Sequence, residues 1–101
     1  MILGKHDKQP AEVKDYPIDY SEWLSEIPAG DTLASAIAVA TCTTTPADTA
    51  LVVDQVIVSP IGVAVWLSAG TDGETYKVTV TATTVGGRVD QSEITVRVKD
   101  T

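Results

Sequence analysis

The stretch that most constrains the fold is residues 75–84, with the letters TYKVTVTATT. Its apolar and polar residues alternate one by one, and the apolar members are Tyr76, Val78, Val80 and Ala82. Successive side chains of an extended strand point to opposite sides, so a period of two is typical of a strand that buries one face. The stretch predicts a half-buried β-strand.

The same alternation returns near the end of the chain, where Ile94, Val96 and Val98 occupy every second position. Between the two stretches lies Val85-Gly86-Gly87-Arg88, which supplies the glycines that a tight turn requires. Together these patterns predict a C-terminal β-hairpin.

Three further stretches are predicted to be strands. Threonine and valine, with 14 copies each in the chain, are β-branched and favour the extended strand conformation. The three stretches are residues 32–41, residues 51–59 and residues 62–70. In the last of these, Val63, Val65 and Leu67 share one face and Trp66 lies on the other. Strands at this spacing without a long amphipathic helix predict an all-β fold, an immunoglobulin-like or fibronectin-like antiparallel β-sandwich.

The first eleven residues are polar and lack a regular period. We therefore expect residues 1–11 to be an extended N-terminal arm, frayed or ordered only by a neighbouring molecule. Residues 12–101 are expected to form the β-sandwich domain.

The charge is unevenly distributed along the chain. Residues 15–76 contain nine acidic residues and no lysine or arginine, and the formal net charge is −7. Such a balance opposes a nucleic-acid partner and fits solubility or a basic protein partner. No apolar run reaches the roughly 18–20 residues of a membrane helix, so we expect no membrane contact and synthesis in the cytoplasm.

The residues that usually carry catalysis or bind metals are scarce. The chain has one histidine, His6, and one cysteine, Cys42, which we expect to be a small, partly buried strand residue. Asp72-Gly73-Glu74 reads as a turn rather than as a calcium loop, which needs more oxygen ligands in sequence. We therefore expect no enzyme activity, no cofactor and no metal site.

Residues 15–24, DYPIDYSEWL, gather two tyrosines and a tryptophan in a chain with five aromatic side chains. Pro17 donates no ladder hydrogen bond and so predicts an edge strand, with Tyr16 and Tyr20 facing inward. Ser21 is expected to cap a short helical turn. Trp23 is the best candidate of this stretch for a partner contact, because tryptophan is favoured at protein interfaces.

These considerations give a set of candidate protein-interaction residues from the first 24 positions of the chain. The set is Lys5, His6, Tyr16, Tyr20, Trp23 and Leu24.

Three segments in order carry a resemblance to a known family. They are DYPIDYSEWL (residues 15–24), VWLSAGTDGETYKVT (residues 65–79) and TTVGGR (residues 83–88). Their sequence and spacing resemble small structural proteins of tailed phages called fiber-tail adaptors. Tyr20 stands where the pattern has tryptophan and Ala69 where it has glycine.

The resemblance implies a structural virion protein in the tail of a tailed bacteriophage. Its partners would be a tail tube or head–tail connector protein and a tail fiber, with multiple symmetric copies in the virion. Separately, the residues around Tyr76 are similar to the late strand of immunoglobulin-like domains, where a tyrosine corner occurs.

Two alternatives remain open. One is a carbohydrate-binding β-sandwich module in which Trp23, Tyr20 or Trp66 stacks against sugar rings. The other is an immunoglobulin-like domain cut out of a larger surface protein.

Overall fold

A computed structural model describes residues 2–100 of the protein, with side chains from Gly4 onward. Met1 and Thr101, the outer ends of the predicted arm and domain, lie outside the described residues. Within residues 2–100 the chain forms seven strands and one short helix. In chain order they are β1 (Ile2–Lys8), β2 (Lys14–Asp19), α1 (Ser21–Ser25), β3 (Leu33–Cys42), β4 (Leu51–Val58), β5 (Gly62–Ala69), β6 (Thr75–Thr84) and β7 (Val89–Val98).

The strands form two sheets. One has four strands in the order β1-β7-β6-β3, and the other has three in the order β2-β5-β4. β1 pairs with β7 in parallel, and the other neighbouring strands pair antiparallel. The predicted all-β sandwich is confirmed, and β2 is an edge strand as Pro17 indicates. The immunoglobulin-like label itself stays a prediction.

The predicted C-terminal hairpin is present as β6 and β7, paired from Thr75 opposite Arg97 to Thr83 opposite Val89. In the turn, Gly87 has a φ of 89°, which glycine adopts without a steric penalty. The Gly87 N–H donates to the Thr84 carbonyl, which closes the turn. The turn at Gly87 thus sets the register that buries the apolar face of both strands.

The core lies between the two sheets and follows the alternation of the sequence. Each central strand contributes every second residue, and several of these side chains are fully buried: Val65, Leu67, Val78, Val80, Ala82, Val96 and Val98. The prediction that Val63, Val65 and Leu67 share an inward face is confirmed. Packing of β-branched and leucine side chains in alternate positions is what a two-layer sandwich requires.

β3 shows why alternation alone does not assign a face. A bulge between Leu33 and Ser35 shifts the pairing with β6 by one residue. Beyond the bulge the alanines of β3 pack toward the core, whereas Ile37 and Val39 point outward and are more than half exposed.

Residues 2–8, expected as an arm ordered by a neighbour, form β1 alongside β7 in the same chain. Lys8, at the end of this strand, is buried, and its Nζ donates to the Ala69 carbonyl at 2.6 Å and to the Gln9 carbonyl at 2.8 Å. Desolvation lowers the pKa of Lys8. The division into an arm of residues 1–11 and a domain of residues 12–101 stays a prediction.

The connection from β5 to β6 is held by a tyrosine at the start of β6. The Tyr76 hydroxyl accepts a hydrogen bond from the Thr71 N–H at 2.9 Å and donates to Asp48 Oδ1 at 2.8 Å. Ala69 has a φ of 59°, which costs a residue with a side chain about 1–2 kcal/mol. That cost gives a physical reason for glycine at this position in the resembling pattern.

The short helix α1 begins at Ser21, and Ser21 does not cap it with its side chain. That prediction is wrong: the residue before the helix is Tyr20, and the Ser21 N–H donates to the Asp19 carboxylate at 2.8 Å. Asp19 serves better because a carboxylate two residues upstream reaches the free N–H groups of the first turn. No helix of residues 2–100 is long and apolar enough to cross a membrane.

Candidate interaction surfaces

The aromatic tract of residues 15–24 forms part of the core. Tyr16, Tyr20 and Leu24 are 5%, 2% and 5% exposed, so the inward orientation predicted for the two tyrosines is confirmed. Trp23 is half-buried and packs edge-on against Tyr20, with ring centroids 6.0 Å apart. Of the predicted interaction residues in this tract, only Trp23 presents surface to a partner in this fold.

Two tyrosine hydroxyls in the core lack a hydrogen-bonding partner. They belong to Tyr16 and Tyr20, and in both cases burial raises the pKa. The Tyr16 ring lies 5.0 Å from the ring of His6, which connects the two sheets at their β1 and β2 edges.

The outer side of β1 and β7 carries cations at the edge of the four-stranded sheet. Lys5 and His6 are exposed and, with Arg97, line a depression of about 390 Å³. Arg97 pairs with Asp7 at 3.2 Å, whereas Lys5 has no ion pair among the described residues. The sequence predicted Lys5 and His6 as candidates but gave no sign that Arg97 joins them, because that contact depends on the parallel pairing of β1 with β7.

The outer face of the three-stranded sheet carries acidic side chains. Asp15 and Asp19 project from β2 on this side, and Asp54 lies on β4. None of the three carboxylates forms an ion pair among residues 4–100. The Ser21 hydroxyl and N–H lower the pKa of Asp19, so its carboxylate is ionised at neutral pH.

A shallow depression of about 410 Å³ lies on the same outer face. It is lined mainly by apolar side chains, among them Pro17, Ile57 and Ile61, with Asp19 at its rim. Ile57 and Ile61 are about half exposed, at 50% and 52%. We call this outer face, with its depression and its three carboxylates, the acidic face.

A thiol and two carboxylates come together where the β3–β4 and β5–β6 connections meet. Ligand atoms of Cys42, Asp48 and Glu74 lie within 4.8 Å of one another, a geometry that can hold a cation. All three already have hydrogen-bond partners: Glu74 accepts from Thr44 and Cys42, and Asp48 accepts from Tyr76. These bonds link the two connections directly.

Cys42, expected to be a small, partly buried strand residue, is buried at the end of β3. The thiol accepts a hydrogen bond from the Thr45 N–H at 3.3 Å. Hydrogen bonding, first from the Thr44 hydroxyl for Glu74 and from the Ala50 N–H for Asp48, lowers the pKa of both carboxyls. No local pattern in the sequence indicated this cluster, since its members are separated by up to 32 positions and meet only through the fold.

The fold and these surfaces define a small β-sandwich protein with charged and apolar side chains exposed on its outer faces. A family model described as podophage GP4 fiber-tail adaptor protein gp77 matches residues 8–97. The chain belongs to this family of phage fiber-tail adaptor proteins, so the resemblance read from the sequence is confirmed. Membership indicates a structural protein of the virion tail that contacts tail and fiber proteins.

A comparison with curated proteins finds no match. Among solved structures, a 2,6-sialyltransferase of Vibrionaceae Photobacterium sp. JT-ISH-224, in a ternary complex with CMP and lactose, matches with a TM-score of 0.49 and 14% identity. The match covers 98% of this chain and 17% of that chain. A likeness this weak carries no argument about function.

Proposed function

We propose that this protein is a non-enzymatic adaptor that joins a tail or neck protein of a tailed bacteriophage to its tail fibers. It acts through protein contacts alone, in multiple symmetric copies, after synthesis in the host cytoplasm. The observation that carries the proposal is the family match over residues 8–97.

The physical form of the molecule supports this role. An adaptor needs two separate contact surfaces on a rigid support, and the sandwich has two outer faces that point in opposite directions. One carries cations at the β1 edge, around Lys5 and Arg97, and the other is the acidic face. Surfaces of opposite charge favour two unlike partners, because each repels the partner of the other.

The proposed contacts at the cationic edge are Lys5 and His6, with Trp23 as a further anchor. Tyr16 and Tyr20 support these residues from inside: the Tyr16 ring contacts His6, and the Tyr20 ring contacts Trp23. Leu24 is buried beneath the same tract. The core aromatics thus hold the exposed members of the predicted set in position.

The test uses phage that lacks a functional copy of the gene, complemented by the wild-type chain or by variants. The variants are Lys5→Glu and Trp23→Ala, and fiber content per particle is counted by electron microscopy. Ser35→Glu, an exposed site on the opposite edge of the same sheet, is the matched control. We expect the two variants to lower fiber content while the control retains it.

A normal fiber count in particles without this protein would overturn the proposed role. Circular dichroism of each purified variant establishes that its fold is intact, so that a lost contact is not confused with unfolding.

The carbohydrate-binding alternative is weakened by the burial of Tyr20, whose ring faces the core. Trp23 and Trp66 are half-buried and remain its candidate stacking residues. Titration of the purified protein with surface glycans of the host, compared with Trp66→Ala, separates this alternative from the adaptor.

A further inference from the structure

We propose that the acidic face docks a partner protein whose contact surface has an apolar centre surrounded by lysine and arginine residues. This inference rests on the proposed function and deepens it, because it assigns one of the two docking surfaces and the chemistry of what binds there.

The apolar centre follows from the depression beside β2. Ile57 and Ile61 expose about half of their surface, and Pro17 and Ala64 extend the apolar lining between them. An exposed apolar patch with a polar rim is typical of a contact surface in a soluble protein.

The partner binds across the face rather than along the β2 edge. A strand added to β2 would have to pair with the backbone around Pro17, which has no N–H to donate. The helix α1 follows directly after β2 and ends the strand at Asp19. Beside β2, the available contacts are therefore the side chains that point outward from the sheet.

The charge of the partner follows from the carboxylates. Asp15, Asp19 and Asp54 form no ion pair among residues 4–100. By contrast, Asp31 pairs with Arg88 at 2.9 Å, and Glu12 pairs with Lys14 at 2.7 Å. Carboxylates without an ion pair, on the same face as an apolar depression, attract a partner with the complementary arrangement.

A second copy of this chain fits the acidic face poorly. A twofold contact of the face with itself would bring like charges together, and two chains of net charge −7 repel each other. We therefore assign the face to a different, basic protein of the tail or fiber.

The experiment uses fiberless particles from phage that lacks this gene. They are incubated with the purified chain and purified tail-fiber protein, and bound chain and bound fiber are quantified separately. The test variants are Ile61→Asp and the double variant Asp15→Lys/Asp54→Lys. The matched control is Ile37→Asp, which places the same charge on an exposed isoleucine of the other sheet.

We expect the test variants to need at least about tenfold more protein for half-maximal assembly, a change typical of a central interface residue. The Ile37→Asp control should need no more than about twofold more protein than wild type. That corresponds to a smaller change in binding free energy than the 1.4 kcal/mol of a tenfold change. Wild-type assembly should also weaken as salt is raised, since salt screens the carboxylates.

The outcomes separate the two proposals. If the wild-type chain fails to restore fibers, the adaptor function fails. If wild type restores fibers and both test variants do so equally well, the adaptor stands and the docking surface is overturned. Concentration-dependent dimerisation of the wild-type chain that Ile61→Asp abolishes would also overturn it, because the occupant would then be a second copy.

Discussion

Three buried tyrosines of this protein differ in the hydrogen bonds that their hydroxyl groups form. Substitution of Tyr76 and of Tyr16 by phenylalanine measures how much those hydrogen bonds contribute to stability. The Tyr76 hydroxyl has two partners, the Thr71 N–H and the Asp48 carboxylate. The Tyr16 and Tyr20 hydroxyls have none. Each change removes a single oxygen and leaves the ring, so differences among the variants report on the hydrogen bonds rather than on packing.

For Tyr76→Phe we expect a loss of about 1–2 kcal/mol in the free energy of unfolding. A buried hydrogen bond contributes about 1 kcal/mol, and partners left unsatisfied cost about 1–3 kcal/mol. For Tyr76→Phe the lower half of the range for unsatisfied partners applies, because Thr71 lies at the surface and water can replace the tyrosine hydroxyl as the acceptor for its N–H. At roughly 4–8 °C per kcal/mol for a domain of this size, the Tm falls by about 4–16 °C.

For Tyr16→Phe we expect the opposite sign or no change. Its hydroxyl is shielded from water without a compensating bond, so its removal takes away a desolvation cost of up to about 1 kcal/mol. The contact between its ring and His6 remains.

Urea denaturation followed by circular dichroism measures both variants, with a common m-value as the check on two-state behaviour. The reasoning is refuted if Tyr16→Phe loses as much stability as Tyr76→Phe. It is also refuted if Tyr76→Phe changes the free energy of unfolding by less than about 0.5 kcal/mol, within the usual range of neutral surface changes.

Three further predictions concern the connections and the carboxylates. Gly70→Ala should destabilise the fold more than Gly87→Ala by denaturation: both glycines have positive φ, but a Cβ at Gly70 lies 2.7 Å from the buried Val98. The Thr84 hydroxyl, backbone N–H groups and Arg88 lower the pKa of Asp31 to about 2. The ionised Asp31 carboxylate therefore stabilises the fold fully above about pH 4, and this stabilisation is lost as the pH falls towards 2. In an acid titration, the difference in stability between wild type and Asp31→Asn should shrink over that range. Cys42 should resist thiol reagents in the native protein and react on unfolding, and rapid labelling of the folded chain would contradict its burial.

The sequence predicted the central strands because burial on one face leaves a direct record in the alternation of β5, β6 and β7. It did not predict β1, since Lys5 and Lys8 make this strand look like a polar tail. Lys8 is tolerated in the interior because carbonyl groups accept hydrogen bonds from its ammonium group, and one of these carbonyls, that of Ala69, is distant in the sequence and leaves no local pattern.

The candidate surfaces were predicted less well than the fold. The run of acidic residues was visible, but not the alignment of β2, β4 and β5 that places Asp15 and Asp54 on one face beside Ile57. That arrangement depends on strand order, which hydrophobic periodicity does not encode. Tyr16 and Tyr20 are buried because β2 and the residue that follows it lie over the core, which the sequence alone does not indicate.

The parallel pairing of β1 with β7 determines how the molecule responds to a pulling force. Because the two strands run in the same direction, tension applied at the start of β1 and the end of β7 slides them past each other. Their hydrogen bonds then share the load together instead of opening one by one, as they would in a hairpin pulled from its open end. We therefore expect the chain to resist extension between these two ends more strongly than a hairpin pulled open from its end.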